Sequence, residues 1–302
     1  MRATIRLLLL LIAGIGSWGQ AHAETVFGIR FLVNDTLGRD EPTRAALRAR
    51  LHAQVATVNG YYRDSLVELR AEVADVAFVP IEEREAIEIL EAMRAERAGF
   101  ADLYCQAGEH GAAYTVAVTR HRIRGKRGCG RAIAVNKRMD QLSRPENGLM
   151  VYDIVCGAHT LAHELGHLMG LNHGRLVDAC EPGQGHATAI APYALGHGVG
   201  NCDGIRQPGE FGTIMVGGWM KRVVGDDKAS LPLFSNPRLH DPRCGLSGIC
   251  GDPEHGDEAR ALNETAPRIL ELAAANRARA EGCRNAGPST RSPLHSQPNQ
   301  SP

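Results

Sequence analysis

His163-Glu164-Leu165-Gly166-His167-Leu168-Met169-Gly170-Leu171-Asn172-His173 packs three histidines and a glutamate into one short run. The first two histidines have the spacing of a helix face. Residues four apart on an α-helix are neighbours, so His163 and His167 stack within about 6 Å. Both imidazoles can then reach one metal ion at about 2.0–2.1 Å, the length of a zinc–nitrogen bond. Glu164 follows His163 directly and can lean over the same cluster, placed to take a proton from water at the metal rather than to bind the metal. His173 cannot share that face on an unbroken helix. It lies six residues past His167, a rotation of about 600° at 3.6 residues per turn. The helix must stop between them, and Gly170 stands where a residue of positive φ ends a helix and turns the chain. The candidate metal ligands are therefore His163, His167 and His173. One zinc ion is the cofactor they imply, and Glu164 is the candidate catalytic base. The ordinary alternative makes His163 and His167 unrelated polar positions of an amphipathic helix. Against it, a chance match to the whole HExxHxxGxxH pattern in this composition is on the order of one in ten thousand.

Outward from this run, the spacing predicts a helix from about His159 to Met169. The glycine-rich stretch from Gly174 to Gly212 contains two cysteines and reads as an irregular, disulfide-pinned segment. Upstream, Val26 to Val33 is apolar and β-branched or aromatic, the pattern of a strand. Thr43 to Tyr62 repeats apolar residues at helical spacing through Ala46, Leu47, Leu51, Val55, Val58 and Tyr62. Leu66 to Val79 is expected as a strand and Glu82 to Ala98 as a second helix. Strands are also expected at Tyr114 to Val118, Ala132 to Val135 and Leu149 to Ile154. Helices alternating with strands argue for an α/β sheet. Downstream, Asp257 to Ala280 reads as a last helix that Pro267 bends or restarts. Residues 285–302 are rich in proline and serine and are expected to be a disordered tail.

The chain has 302 residues, 5% of them aromatic, and a formal net charge of +0. That length holds one large domain or two small ones, and no global basic field points to nucleic acid. The basic stretch Arg120 to Arg127 lacks an aromatic platform and reads as a solvated loop. At the N-terminus, Arg2 and Arg6 precede the apolar run Leu7 to Ile15, and Ala21-His22-Ala23 supplies the small residues of a cleavage site. The run is too short to cross a bilayer, which needs about 20 apolar residues. No cysteine follows closely enough for a lipid anchor. A signal peptide over 1–23, cleaved after Ala23, is expected to deliver a secreted chain, extracellular or periplasmic, with no membrane anchor. Its removal takes two arginines with it and leaves a net charge of about −2. The 8 cysteines all follow the signal. In an oxidising compartment disulfides are their default state, and no close CxxC pair suggests a cysteine zinc site.

At its histidine motif the sequence resembles the metzincin family of zinc endopeptidases. Gly212-Thr213-Ile214-Met215 looks like that family's methionine turn, with Met215 as the methionine. Alone, Met215 would read as a core residue, because methionine fills gaps anywhere. Phe234-Ser235-Asn236-Pro237 resembles a segment of the adamalysin-like (reprolysin) branch and its bacterial relatives that helps build the substrate-pocket wall. Asn59-Gly60-Tyr61-Tyr62-Arg63-Asp64-Ser65 looks like that branch's first helix running into its second strand. The similarity covers Val26 to Ala280, with the zinc motif and the methionine turn as its specific parts.

The resemblance implies an α/β fold, a metzincin-like catalytic domain over 24–284. A twisted, mostly parallel sheet lies above the cleft, the active-site helix beneath it and the methionine turn under the metal. It implies hydrolysis of internal peptide bonds by zinc-activated water, with Glu164 as general base. The expected partner is a protein or peptide substrate held in extended form against an edge strand, for which Ala132 to Asn136 is the expected segment. A monomer that binds no nucleic acid is expected. The alternative is a non-catalytic secreted zinc-containing module that binds protein through the same groove. An exopeptidase would need a charged anchor for a chain terminus.

Two departures stand out. The adamalysin branch usually has an aspartate directly after the third histidine, where this chain has Gly174. After Met215 the chain reads Val216-Gly217-Gly218-Trp219, without the tyrosine that astacins use near the zinc. The fold is expected to begin almost at once after the signal, without a long inhibitory propeptide. His159, His186 and His197 are expected to be solvated or hydrogen-bonded rather than ligating, since three histidines satisfy a catalytic zinc. Eight cysteines allow 105 pairings. The family ties a sheet strand to the segment before the zinc helix, which implies Cys129 with Cys156. Cys180 with Cys202 and Cys244 with Cys250 are neighbours closing irregular loops, and Cys105 with Cys283 is the remainder.

Overall fold

The fold comes from a computed structural model that describes residues 24–133, 138–183 and 189–286. The proposed signal and most of the tail therefore lie outside the described residues, as does His186. In the first half, β1 (Thr25–Asn34), α1 (Glu41–Asp64), β2 (Leu69–Val79), α2 (Ala86–Arg94), α3 (Leu103–Glu109) and β3 (Ala112–Val118) follow one another. A small hairpin, β4 (Arg122–Ile123) and β5 (Lys126–Arg127), then leads into β6 (Gly130–Ala132), β7 (Leu149–Tyr152) and α4 (Gly157–Leu168). The remainder holds α5 (Arg175–Cys180), β8 (Gly198–Val199), β9 (Phe211–Gly212), α6 (Ile214–Gly217), α7 (Met220–Val224), β10 (Asn236–His240), β11 (Ile249–Cys250) and α8 (Glu258–Asn285).

The main sheet has the order β2-β1-β3-β7-β6. All its pairs are parallel except β6 with β7. Its two faces follow from the period of a strand, which sends successive side chains to opposite sides. Phe27, Ile29, Phe31 and Val33 of β1 enter one core with Met150 and Tyr152 of β7. Leu32 of β1 and Leu149 and Val151 of β7 enter a second core on the other face. The first core also takes the apolar stripe Leu51, Val55, Val58 and Tyr62 of α1, together with Leu161, Ala162, Leu165 and Leu168 of α4. The second is covered by α2 and α3. With both faces buried, the strands are apolar almost throughout, as parallel sheets require.

Local chemistry explains most element boundaries. Asp40 caps α1 by accepting the Thr43 N–H at 2.8 Å, with proline in the first turn. The helix expected over Glu82 to Ala98 is shorter. Glu85 and Glu88 close a capping box at its start, and Glu96 and Ala98 take positive φ beyond its end. The strand expected to reach Ile154 stops at Tyr152, because the Asp153 carboxylate accepts the Val155 N–H and starts a 3-10 turn. α3 is not expected from the sequence; its 7 residues are too short to show periodicity. The basic stretch from Arg120 folds into the β4–β5 hairpin, with Lys126 and Arg127 exposed.

α8 runs unbroken through Pro267, so the expected restart does not occur. Burial of Leu262, Thr265, Ala266 and Ile269 on both sides of the proline outweighs the hydrogen bond that a proline removes. The four disulfides are the four expected pairs, and they close 105 with 283, 129 with 156, 180 with 202 and 244 with 250. Such bonds belong to an oxidising compartment. Among the described residues no helix is long and apolar enough to cross a membrane.

Candidate metal centre and its surroundings

α4 buries Leu161, Leu165 and Leu168 against the sheet and turns His163 and His167 to the opposite side. Their ring centroids are 4.8 Å apart, the distance expected one helical turn apart. The helix ends in a Schellman motif. The Leu171 N–H donates to the Gly166 carbonyl at 2.9 Å and the Gly170 N–H to that of His167 at 3.1 Å. Gly170 has φ +91°, a conformation that costs a side-chain-bearing residue free energy. The chain then reverses and pairs alongside 194–196, with the Asn172 N–H on the Ala194 carbonyl and the Gly196 N–H on that of Asn172. That pairing brings His173 back, its ring 5.2 Å from His163 and 4.9 Å from His167.

One ligand atom from each of the three histidines lies within 4.8 Å of the others. The His163 and His173 Nε2 atoms are 3.3 Å apart. A tetrahedral zinc at 2.0–2.1 Å needs its nitrogens roughly 3.3–3.4 Å apart, so the residues present fit such an ion. Nδ1 of His163 donates to the Ile214 carbonyl at 3.0 Å, and Nδ1 of His167 to that of Leu171 at 3.1 Å. Each bond fixes a tautomer that leaves the Nε2 lone pair facing the cluster. Burial, then the neighbouring histidines, hold His163 well below its ordinary pKa and push His167 down to about 3. The rings are therefore neutral, as metal ligation requires.

Glu164 is buried against the edge of the sheet. Burial pushes its carboxyl up to about 8, while the Ala132 N–H and the Arg131 charge pull it down. Beneath α4, Met215 is fully buried. A Cβ on Gly166 would lie 2.7 Å from its sulfur, so this unlettered position of the motif is where the methionine packs. The turn that carries Met215 is tied on both sides. The Ile214 N–H donates to the Leu233 carbonyl, and the Thr213 N–H to that of His197. Glu258, the first residue of α8, accepts the Ser235 N–H at 2.6 Å and the Thr213 hydroxyl at 3.4 Å. Its other oxygen has no partner among the described residues. Phe234 stacks on Tyr62 with centroids 5.4 Å apart, which joins the Phe234–Pro237 segment to α1.

Other groups near the centre have structural partners. His159 lies one turn before His163 with its Nε2 2.8 Å from the Ser230 hydroxyl. The His197 backbone N–H donates to the Thr213 hydroxyl, and its ring lies 5.7 Å from that of Phe211. Gly174 explains the departure from the adamalysin pattern: a Cβ there would lie 2.0 Å from the Gly196 carbonyl oxygen. Trp219 sits with its ring 5.4 Å from His173 and carries the Arg222 guanidinium 5.0 Å above it. Of the expected edge segment Ala132 to Asn136, residues 134–136 lie outside the described residues. The observed edge strand is β6, Gly130–Ala132. Sequence reading singled out neither Gly130 nor Glu258, since nothing local marks either one.

A family model described as metallo-peptidase family M12 matches residues 31–215, from within β1 through the histidine cluster to Met215. The peptidyl-Asp metalloendopeptidase of Pseudomonas aeruginosa is 35% identical over 121 residues, 39% of this chain and 18% of that protein. The chain thus spans less than a fifth of that relative's length. A solved structure described as a chaperone–substrate complex superimposes over 82% of this chain and 36% of its own, with a TM-score of 0.58 at 15% identity. That likeness is one of fold. Metalloproteinase-II from Bacteroides fragilis aligns over 51% of this chain and 45% of its own, at 15% identity, with a TM-score of 0.33, too loose for comparison.

Proposed function

The chain belongs to metallo-peptidase family M12, and from that membership we propose that it is a secreted zinc-dependent endopeptidase. His163, His167 and His173 hold one zinc ion and Glu164 is the general base. The observation that carries this reading is the convergence of three imidazoles within 4.8 Å beside a buried carboxyl that is the next residue to one of them. When bound, zinc supplies a Lewis acid that polarises the scissile carbonyl and lowers the pKa of water to about 7. Glu164 takes a proton from the attacking water and passes it to the leaving amine. The substrate runs extended beside β6, which ends the main sheet on that side among the described residues. The active chain is a monomer with a catalytic domain over 24–284, released by cleavage of the signal after Ala23 and followed by the tail.

The test pairs metal analysis with turnover of quenched peptides and mass spectrometry of a mixed peptide library, on wild type and Glu164→Gln. The library includes bonds flanked by aspartate, since the Pseudomonas relative is named for peptidyl-Asp. Glutamine keeps the shape but cannot accept the proton, a step worth roughly 10²–10⁴ in rate. Zinc content near one per chain in both proteins, with cleavage by wild type alone, is the expected result. Equal cleavage by both would remove Glu164 from the mechanism. Zinc in both with cleavage by neither would favour the binding-module alternative.

A further inference from the structure

The edge strand does more than border the cleft. The Glu164 carboxyl reaches β6, where the Ala132 N–H donates to it. Two residues earlier, on the same side of the strand, Gly130 faces the same side chain. A Cβ built on Gly130 would lie 2.5 Å from Cγ of Glu164, 2.7 Å from Oε1 and 2.8 Å from Cδ. Gly130 does not take a positive φ, so its backbone makes no demand for glycine. What the position requires is room. The strand cannot back away to make it. Cys129 is bonded to Cys156 and its carbonyl accepts the Asp153 N–H at 2.8 Å. Gly130 itself is in register with Tyr152 of β7. Any side chain at 130 must therefore displace Glu164, which is only 6% exposed and has little other space.

We propose that Gly130 is a positioning residue. The slot it leaves in the edge strand sets where the Glu164 carboxyl stands, so the strand that receives the substrate also aims the base. This rests on the reading of Glu164 as general base. Misplacing a reacting group by about 1 Å can cost about 10² in rate, and neither the zinc ligands nor the outer strand edge is altered by a methyl at 130. Gly130→Ala should therefore lower kcat by roughly 10–100-fold, with KM within about twofold and zinc content unchanged.

The decisive measurement adds Glu164→Asp in both backgrounds, because aspartate withdraws the carboxyl by one methylene. If the two residues meet as described, Glu164→Asp costs less kcat in Gly130→Ala than in wild type, a coupling that a general loss of stability would not produce. Independent, multiplicative losses, or a Gly130→Ala kcat within threefold of wild type, would overturn the proposal. Should Gly130→Ala fail to fold, the double variant with Glu164→Ala must fold; its failure to do so would equally refute the contact. If wild type cleaves no peptide, the base reading fails on its own. The contact is then tested by whether Gly130→Ala destabilises the Glu164 protein more than the Glu164→Ala protein.

Discussion

Replacing Gly170 by alanine tests how the third histidine is brought to the other two. Two costs are legible in the structure. At φ +91° an alanine sits in backbone space that disfavours a Cβ, at roughly 1–2 kcal/mol. Its methyl would also stand 2.6 Å from Cγ2 and 2.9 Å from Cγ1 of Ile190, and such overpacking costs about 1–3 kcal/mol. Together they amount to about 2–5 kcal/mol in the zinc-loaded state, where His173 must occupy its place. How the cost divides is itself informative. If the metal-free protein keeps the turn, it loses that stability too and zinc affinity hardly changes. If the turn relaxes without metal, the metal-free protein is spared. The cost then reappears as weaker zinc binding, tenfold for each 1.4 kcal/mol. The assay is urea unfolding of zinc-loaded and chelator-stripped protein, with zinc affinity measured by chelator competition. Their sum must close on the same total. A zinc-loaded Gly170→Ala protein within about 0.5 kcal/mol of wild type, the range of surface substitutions, would refute the account of the turn.

His173→Ala should lower zinc affinity and peptide hydrolysis together while the fold survives; full zinc occupancy with normal turnover would remove it from the ligand set. Gly174→Asp, which restores the adamalysin residue, should destabilise the protein and not improve it, because the Gly196 carbonyl oxygen occupies the Cβ position at 2.0 Å; a thermal midpoint at or above that of wild type would contradict this. Glu258 supplies a pH test. Burial pushes its folded pKa up to about 8 from an ordinary 4.5, so between those values the native state holds a proton that the unfolded chain has lost. Its contribution is present in full below about pH 4.5 and is lost as pH rises towards 8, at up to about 1.4 kcal/mol per pH unit. Glu258→Gln should remove that slope, read as the difference in urea midpoints between wild type and variant at pH 5, 6.5 and 8. A difference that does not change with pH would show that the carboxyl ionises normally.

The elements that sequence reading located well are those whose pattern is local. α1 and α4 carry a helical period that their burial matches, and β1 and β3 are short apolar runs buried on both faces. Reading failed where a boundary or an element depended on a distant partner. α3 is too short to declare itself and is held by its disulfide to α8 and by the close approach of Gly108 to the Asn276 carbonyl. Pro267 announces a break that packing on both sides of it cancels. The restriction at Gly174 arises from a residue more than twenty positions away, the Gly196 carbonyl.

By itself the sequence determined the helix spacing of His163 and His167, the stop at Gly170, the place of Glu164 beside His163 and the alternation of strands and helices. Each of these is a statement about neighbours along the chain, where 3.6-residue and two-residue periods convert spacing into direction. Only the tertiary structure decided how close His173 comes, because that depends on the pairing of Asn172 with 194–196. It alone placed Met215 under Gly166 and set Glu258 beneath the turn that carries it. It alone put Gly130 beside Glu164. Those contacts join segments far apart in sequence, and no local propensity encodes a distance between two elements that only the packed core brings together.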